Sequence, residues 1–156
     1  MSTLNYALRF YRPPGSAPSD PLFAPSINIA TMMTPEAVTG TIEPLGEYQL
    51  AKLTTHPAFN SDGSFTETGT IIFGLISETD PSETNLLNFT SIRFGQLNPV
   101  LFPESNYTPG TVMWQIDEGS GTGFFAGATG AITSNFLVDK STNELIAYQF
   151  GVVYLP

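Results

Sequence analysis

The sequence predicts an all-β chain folded as one antiparallel barrel of eight or nine strands, with little helix. Three observations carry the prediction. Apolar and polar residues alternate at period two in several runs. Clusters of Gly, Pro, Asn, Asp and Ser cut the chain into short pieces. No long stretch has the apolar spacing of an amphipathic helix.

The first strand is read from Leu4, Tyr6, Leu8 and Phe10, which alternate with Asn5, Ala7 and Arg9. Pro13-Pro14-Gly15 ends it. Prolines at 18, 21 and 25 make residues 13–25 a Pro-rich loop, lying on the surface or over a barrel mouth, because proline supplies no ladder donor. Candidate strands follow at Ile27–Met33, Val38–Ile42 and Tyr48–Thr54. The turn Asn60-Ser61-Asp62-Gly63-Ser64 opens a long strand from Phe65 to Ser77, and Asp80-Pro81-Ser82 separates it from Leu86–Phe94. Residues 98–110, punctuated by Pro99, Pro103 and Pro109, read as a loop. Thr111–Asp117, Ala131–Val138 and Glu144–Leu155 complete the set. The last strand is apolar on both faces, Ile146, Tyr148, Phe150, Val152 and Tyr154 against Leu145, Ala147, Val153 and Leu155. A barrel strand of that kind needs a partner on its outer face as well as a filled interior, which predicts a homo-oligomer; a loop lying over one face is the alternative.

The 156 residues suit a single domain, residues 1–156, with one core. With 41% hydrophobic and only 12% charged residues, the composition is that of a folded domain rather than a disordered one. The net charge of −9 and only five basic residues argue against nucleic acid and against an anionic membrane surface as partners. The absence of cysteine removes disulfides, thiolate nucleophiles and Cys-ligated metals. No apolar run is long enough for a transmembrane helix. The N-terminus lacks a signal-peptide pattern, so a native Met1 predicts a cytoplasmic protein, and a removed leader a secreted one.

Between the strands Thr111–Asp117 and Ala131–Val138 runs Gly119-Ser120-Gly121-Thr122-Gly123-Phe124-Phe125-Ala126-Gly127-Ala128-Thr129-Gly130. Its glycines permit an irregular crossing with close backbone approach. Phe124 or Phe125 is expected to plug the barrel end. Gly121-Thr122-Gly123-Phe124-Phe125-Ala126 fits a dinucleotide fingerprint in letters only, because a strand, not a helix, follows. The element resembles the signature turn of the allene oxide cyclase and dirigent barrel superfamily, and the resemblance extends through the strand, turn and C-terminal strand to residue 155. It implies an eight-stranded, calycin-like barrel, usually trimeric. It also implies cofactor-free chemistry in which an apolar lumen steers the closure of a reactive small molecule.

Candidate chemistry is sparse. His56, the single histidine, sits before Pro57 and reads as a loop residue without a catalytic partner, and no spacing supports a metal site. Arg93 shares a strand face with Leu87 and Phe89. An internal Arg93 would need Glu67 or Asp117 as a partner and could hold a ligand carboxylate; otherwise its head lies in water. Tyr148 and Gln149 point to opposite faces of the last strand. Arg93, Tyr148 and Gln149 are therefore the catalytic candidates. Tyr6, Phe89, Trp114, Gln115 and Asn135 are the candidate ligand-binding residues, since a few polar groups in an apolar pocket orient a ligand. Asp117-Glu118 reads as a surface pair. The expected function is a cyclase or isomerase without a cofactor, acting on a hydrophobic small molecule by holding it in a reactive conformation. The alternatives are a non-catalytic carrier and a structural or interaction barrel with a lumen filled by its own aromatics.

Overall fold

The computed structural model describes residues 2–24, 31–33, 45, 49–99 and 104–156. The strands are β1 (Ser2–Arg12), β2 (Leu22–Ala24), β3 (Thr31–Met33), β4 (Ala51–Phe59), β5 (Ser64–Phe73), β6 (Asn85–Ser91), β7 (Gly95–Leu97), β8 (Tyr107–Ile116), β9 (Thr129–Asp139) and β10 (Glu144–Leu155). Among the described residues helix is limited to 3-10 turns at Pro81–Glu83 and Gly123–Phe125. Among the described residues no helix is long and apolar enough to cross a membrane.

All pairings are antiparallel, and the ring β1-β2-β4-β5-β6-β8-β9-β10 closes on itself through β10 and β1. That seam runs the full length of β1, from Ser2 opposite Leu155 to Arg12 opposite Leu145. The fold is thus an eight-stranded barrel with β3 added along Asn5–Ala7 of β1. Closure satisfies the backbone groups that an open sheet would leave at its edges. β6 and β7 share one stave, because both pair with β5 and with β8. The stave breaks between them at Ile92-Arg93-Phe94, which are exposed.

Alternation decides which side chains enter the barrel. Leu4, Tyr6, Leu8, Phe10 and Arg12 of β1 are buried, as are Ala147, Gln149, Gly151, Val153 and Leu155 of β10. Besides Phe10, fully buried on β1, interior aromatics form three contacting groups. Tyr6, Phe73 and Phe125 fill one end, with centroids 5.4 Å and 5.0 Å apart in succession. Phe89 and Trp114 stack at 4.0 Å in the middle. Phe65 and Phe136 lie 6.0 Å apart near the other end. Large rings fit because bare backbone faces them. A Cβ on Gly151 would sit 2.1 Å from Cε1 of Tyr6. Gly151→Ala must therefore push a fully buried ring against Phe73. The expected loss is about 1–3 kcal/mol of stability, read from the urea midpoint; an unchanged midpoint would mean that the ring moves aside freely.

The glycine element closes the end filled by Tyr6, Phe73 and Phe125. Gly123 has φ 58°, and a Cβ there would lie 2.5 Å from Asn85 Oδ1 and 2.8 Å from the Thr84 carbonyl. The element docks on that segment: Thr122 Oγ1 donates to the Thr84 carbonyl at 2.6 Å and the Phe124 N–H to Asn85 Oδ1 at 2.8 Å. Phe125 is fully buried as the plug, and Phe124 packs edge-on against it at 5.5 Å.

Several expected elements differ from those observed. The Pro-rich loop at 13–25 contains β2, whose pairing comes from β1 and β4. The strand read at 48–54 begins at Ala51 and continues through His56-Pro57 to Phe59, so His56 lies on a strand, exposed, rather than in a loop. The long strand ends at Phe73, not Ser77. Part of the loop read at 98–110 belongs to β8, which starts at Tyr107. Of the strand read at 27–33 only 31–33 is described, and the one read at 38–42 lies outside the described residues.

Candidate functional site

The end opposite the glycine element is not filled by the described residues. It holds a cavity of about 490 Å³, a size typical of small-molecule sites. Leu53 of β4, Phe65 of β5, Leu97 of β7, Phe136 and Val138 of β9 and Ala147 of β10 supply apolar wall. Asn60 and Ser61 of the β4–β5 turn, with Lys140 and Asn143 of the β9–β10 turn, border its opening. The Pro-rich loop reaches this rim through Pro18. Arg12 ties it there, donating from Nη1 to the Pro18 carbonyl at 2.7 Å and from Nε to the Asn143 carbonyl at 2.9 Å. Burial lowers the pKa of this guanidinium, partly offset by Asp20. Gly15 N–H and Asn143 Nδ2 close further bonds between the loop and the β9–β10 turn. These bonds hold the mouth in a defined shape.

Among the described residues the wall carries one carboxyl. Glu67 is 8% exposed, and its neighbours on the same face of β5 are Phe65 and Gly69. Its Oε2 accepts from Trp114 Nε1 at 2.9 Å, and the Thr55 hydroxyl donates to the same carboxyl. Register holds this cluster. Ser91 of β6 pairs with Trp114 of β8, and Ser91 Oγ accepts from the Glu67 N–H at 3.0 Å. Burial pushes the Glu67 carboxyl up from its ordinary value of 4.5 to about 7, against the two hydrogen bonds that favour its charge. A carboxyl that titrates near neutrality can both take and give a proton. Among the described residues no group of three or more His, Cys, Asp or Glu could hold a metal ion.

Two further polar side chains face the interior beyond the cavity wall. Gln149 is 3% exposed, and neither Nε2 nor Oε1 has a partner among the described residues. Tyr6 is fully buried, and its hydroxyl is equally without one. Burial raises the Tyr6 pKa far above the ordinary phenol value, so the group stays a neutral donor. A buried polar group left unpaired costs about 1–3 kcal/mol, which sets both side chains apart from buried polar residues such as Arg12 and Glu67, whose hydrogen bonds are made.

The residues singled out from the sequence separate into inner and outer sets. Tyr6, Phe89, Trp114 and Gln149 face the interior, and Trp114 lines the cavity. Tyr148, Gln115 and Asn135 are exposed on the outer wall, where Tyr148 and Asn135 are register partners on β10 and β9. Tyr148 is 54% exposed. Arg93 lies in the break between β6 and β7, past the end of the strand face it was expected to share with Phe89, and is exposed. Glu67 bonds to Trp114 and Thr55, and Asp117 Oδ2 accepts from Thr90 Oγ1 at 3.2 Å, so the partners of these carboxyls among the described residues are not Arg93. Glu67, Thr55, Ser134 and Arg12 were not picked out as site residues. The signal for Glu67 was its phase: Phe65, Glu67, Gly69, Ile71 and Phe73 share one face at period two.

No protein-family model, no curated protein and no solved structure matches this chain.

Proposed function

We propose that this barrel binds an apolar small molecule in the cavity at its open end and promotes an isomerisation or ring closure by proton transfer through Glu67. The observation that carries the reading is a buried carboxyl, held by Trp114, in the wall of a mainly apolar cavity of about 490 Å³. The ionised form can take a proton from a bound carbon or hydroxyl, and the acid form can return it elsewhere on the same molecule. Trp114 and Thr55 fix the carboxyl, and the wall holds the substrate against it. A carrier would need the cavity alone; the carboxyl favours catalysis. The likeness of residues 119–130 to allene oxide cyclase and dirigent barrels agrees with a lumen that steers closure. Self-association as a homo-oligomer, a trimer on that same likeness, is supported by the exposed Met113, Tyr148, Phe150 and Tyr154 on the outer faces of β8 and β10.

Trp114 is the single tryptophan of the chain and lines the cavity, so its emission reports occupancy. Titration with the apolar dye N-phenyl-1-naphthylamine is expected to quench Trp114 with a stoichiometry of one dye per chain. Ala147→Phe, which places a ring in the cavity, is expected to block this. Unchanged Trp114 emission at saturating dye would sink the reading.

A further inference from the structure

We infer that the molecule bound in the cavity carries a carbonyl or hydroxyl oxygen, and that Gln149, aided by Tyr6, binds that oxygen at the inner end of the cavity. This rests on the reading of the cavity as a ligand site and names the class of ligand.

Position comes from register. On β10 the inward residues are Ala147 and, next towards the closed end, Gln149. Ala147 lines the cavity, and so does Ser134 of β9, the register partner of Gln149. Gln149 therefore lies directly beyond the cavity wall, between two strands that form it. Tyr6 stands opposite Gly151 on the neighbouring strand. Because Gly151 has no side chain, the Tyr6 ring lies across it and carries the hydroxyl from β1 over β10, the strand that bears Gln149. Two buried side chains on adjacent strands thus present unmatched hydrogen-bonding atoms in one neighbourhood.

Chemistry selects the ligand. Tyr6 offers one O–H donor, and Gln149 offers N–H donors and an amide oxygen. A carbonyl oxygen can accept from the amide and the phenol together. A hydroxyl can accept from the amide nitrogen and donate to the amide oxygen. A hydrocarbon can do neither. A ligand cation has no carboxylate in this pair to meet, and a ligand anion would meet only neutral donors. β5, which carries Glu67, lies four staves from β10 in either direction round the barrel, on the opposite wall. A substrate spanning the lumen would then have its oxygen held on one wall and its carbon skeleton open to the Glu67 carboxyl on the other. If Glu67 removes a proton from a carbon next to the carbonyl, the electron pair moves to the held oxygen. Donation from Gln149 and Tyr6 stabilises that charge. In a β,γ-unsaturated carbonyl compound, return of the proton to the γ carbon restores the carbonyl, moves the double bond next to it and completes an isomerisation with no other reactant.

The test is displacement of N-phenyl-1-naphthylamine by a matched pair of probes, 2-ethylnaphthalene and 2-acetylnaphthalene, which differ by a ketone oxygen. The expected preference of the native protein for the ketone is about tenfold, the worth of one well-formed hydrogen bond. Gln149→Leu is expected to keep affinity for the hydrocarbon and lose the preference. Tyr6→Phe, which leaves the ring in place, is expected to reduce it. A protein that binds both probes equally, or a preference that survives in both variants, overturns the polar subsite while leaving the cavity reading intact. Failure of both probes to displace the dye overturns the two together.

Discussion

Glu67→Gln is expected to make the barrel more stable than the native protein at pH 8 and no more stable at pH 4. In the native chain the folded carboxyl titrates at about 7, against 4.5 for the ordinary group. Below 4.5 both states are protonated and the carboxyl contributes equally to each. Between 4.5 and about 7 the unfolded chain releases a proton that the folded chain retains, so stability falls as pH rises. Above that window the folded carboxyl is ionised too, and the loss is complete. Its full size is about 3 kcal/mol. Glutamine removes the titration while keeping an oxygen for Trp114 Nε1, and its amide nitrogen can donate to the Thr55 hydroxyl. The other shifted carboxyls, Asp62, Asp80 and Asp139, have lowered pKa values from local Ser contacts and are common to both proteins. They cancel in the difference. Urea denaturation of both proteins at half-unit intervals from pH 4 to 8 reads it. Parallel stability curves would show that Glu67 is not perturbed, and proton transfer near neutrality would lose its basis. Under the proposed function the same substitution leaves dye binding in place and removes turnover.

The inward placement of Glu67 depends on the barrel more than on its local sequence. In the sequence Glu67, flanked by Thr66 and Thr68, enters only as a conditional partner for an internal Arg93. Only the barrel interior, set by Phe65, Ile71 and Phe73 on the same face, turns Glu67 inward. The regular strands were legible because one face is buried and the period is two. β10 matches its expected bounds, 144–155, and β1 extends the alternation read from Leu4 to Phe10 by two residues at each end. The glycine element was legible as a turn with an aromatic plug, because its glycines and paired Phe carry local meaning. β2 was not legible. Three residues between prolines become a strand only through pairing with Ala51–Leu53, some thirty residues on. The start of β8 was hidden by Pro109-Gly110, a pair that marks a turn elsewhere. Here Pro109 pairs with Leu137, and Gly110 lies under the Phe136 ring, where a Cβ would be 2.2 Å from Cζ. The choice of inner face for β8 and β9 was likewise non-local. It places Trp114 and Ser134 inside and Gln115 and Asn135 outside.

Phe125→Ala is expected to cost about 3–5 kcal/mol, in the range for removing a buried aromatic ring. Phe125 has no exposed surface, and it stands at the one end of the barrel that the strands themselves leave to a turn. Two features hinder collapse into the hole. The 3-10 turn is fixed at Gly123 and Phe124 by Thr84 and Asn85. Phe73, the neighbouring ring, belongs to the β5 ladder and pairs with both Ala51 and Asn85. The cavity left behind therefore persists, and with it most of the lost contact energy. Phe136→Ala provides the contrast. Phe136 lines the existing cavity and is only half-buried, so its removal enlarges a space already open and is expected to cost less. The two variants also differ in where they admit a probe. Acrylamide should quench Trp114 more readily when Phe136 is removed, since both residues line the mouth cavity. With Phe125 removed, access to Trp114 should rise only if the gap left between Phe73 and Phe124 opens a second entrance. Equal losses of stability from the two substitutions would mean that the glycine element is not the closed end of the barrel. Among the described residues the barrel is shut at one end by its own turn and open at the other, and under the proposed function that geometry would present a bound molecule to Glu67 from the open end.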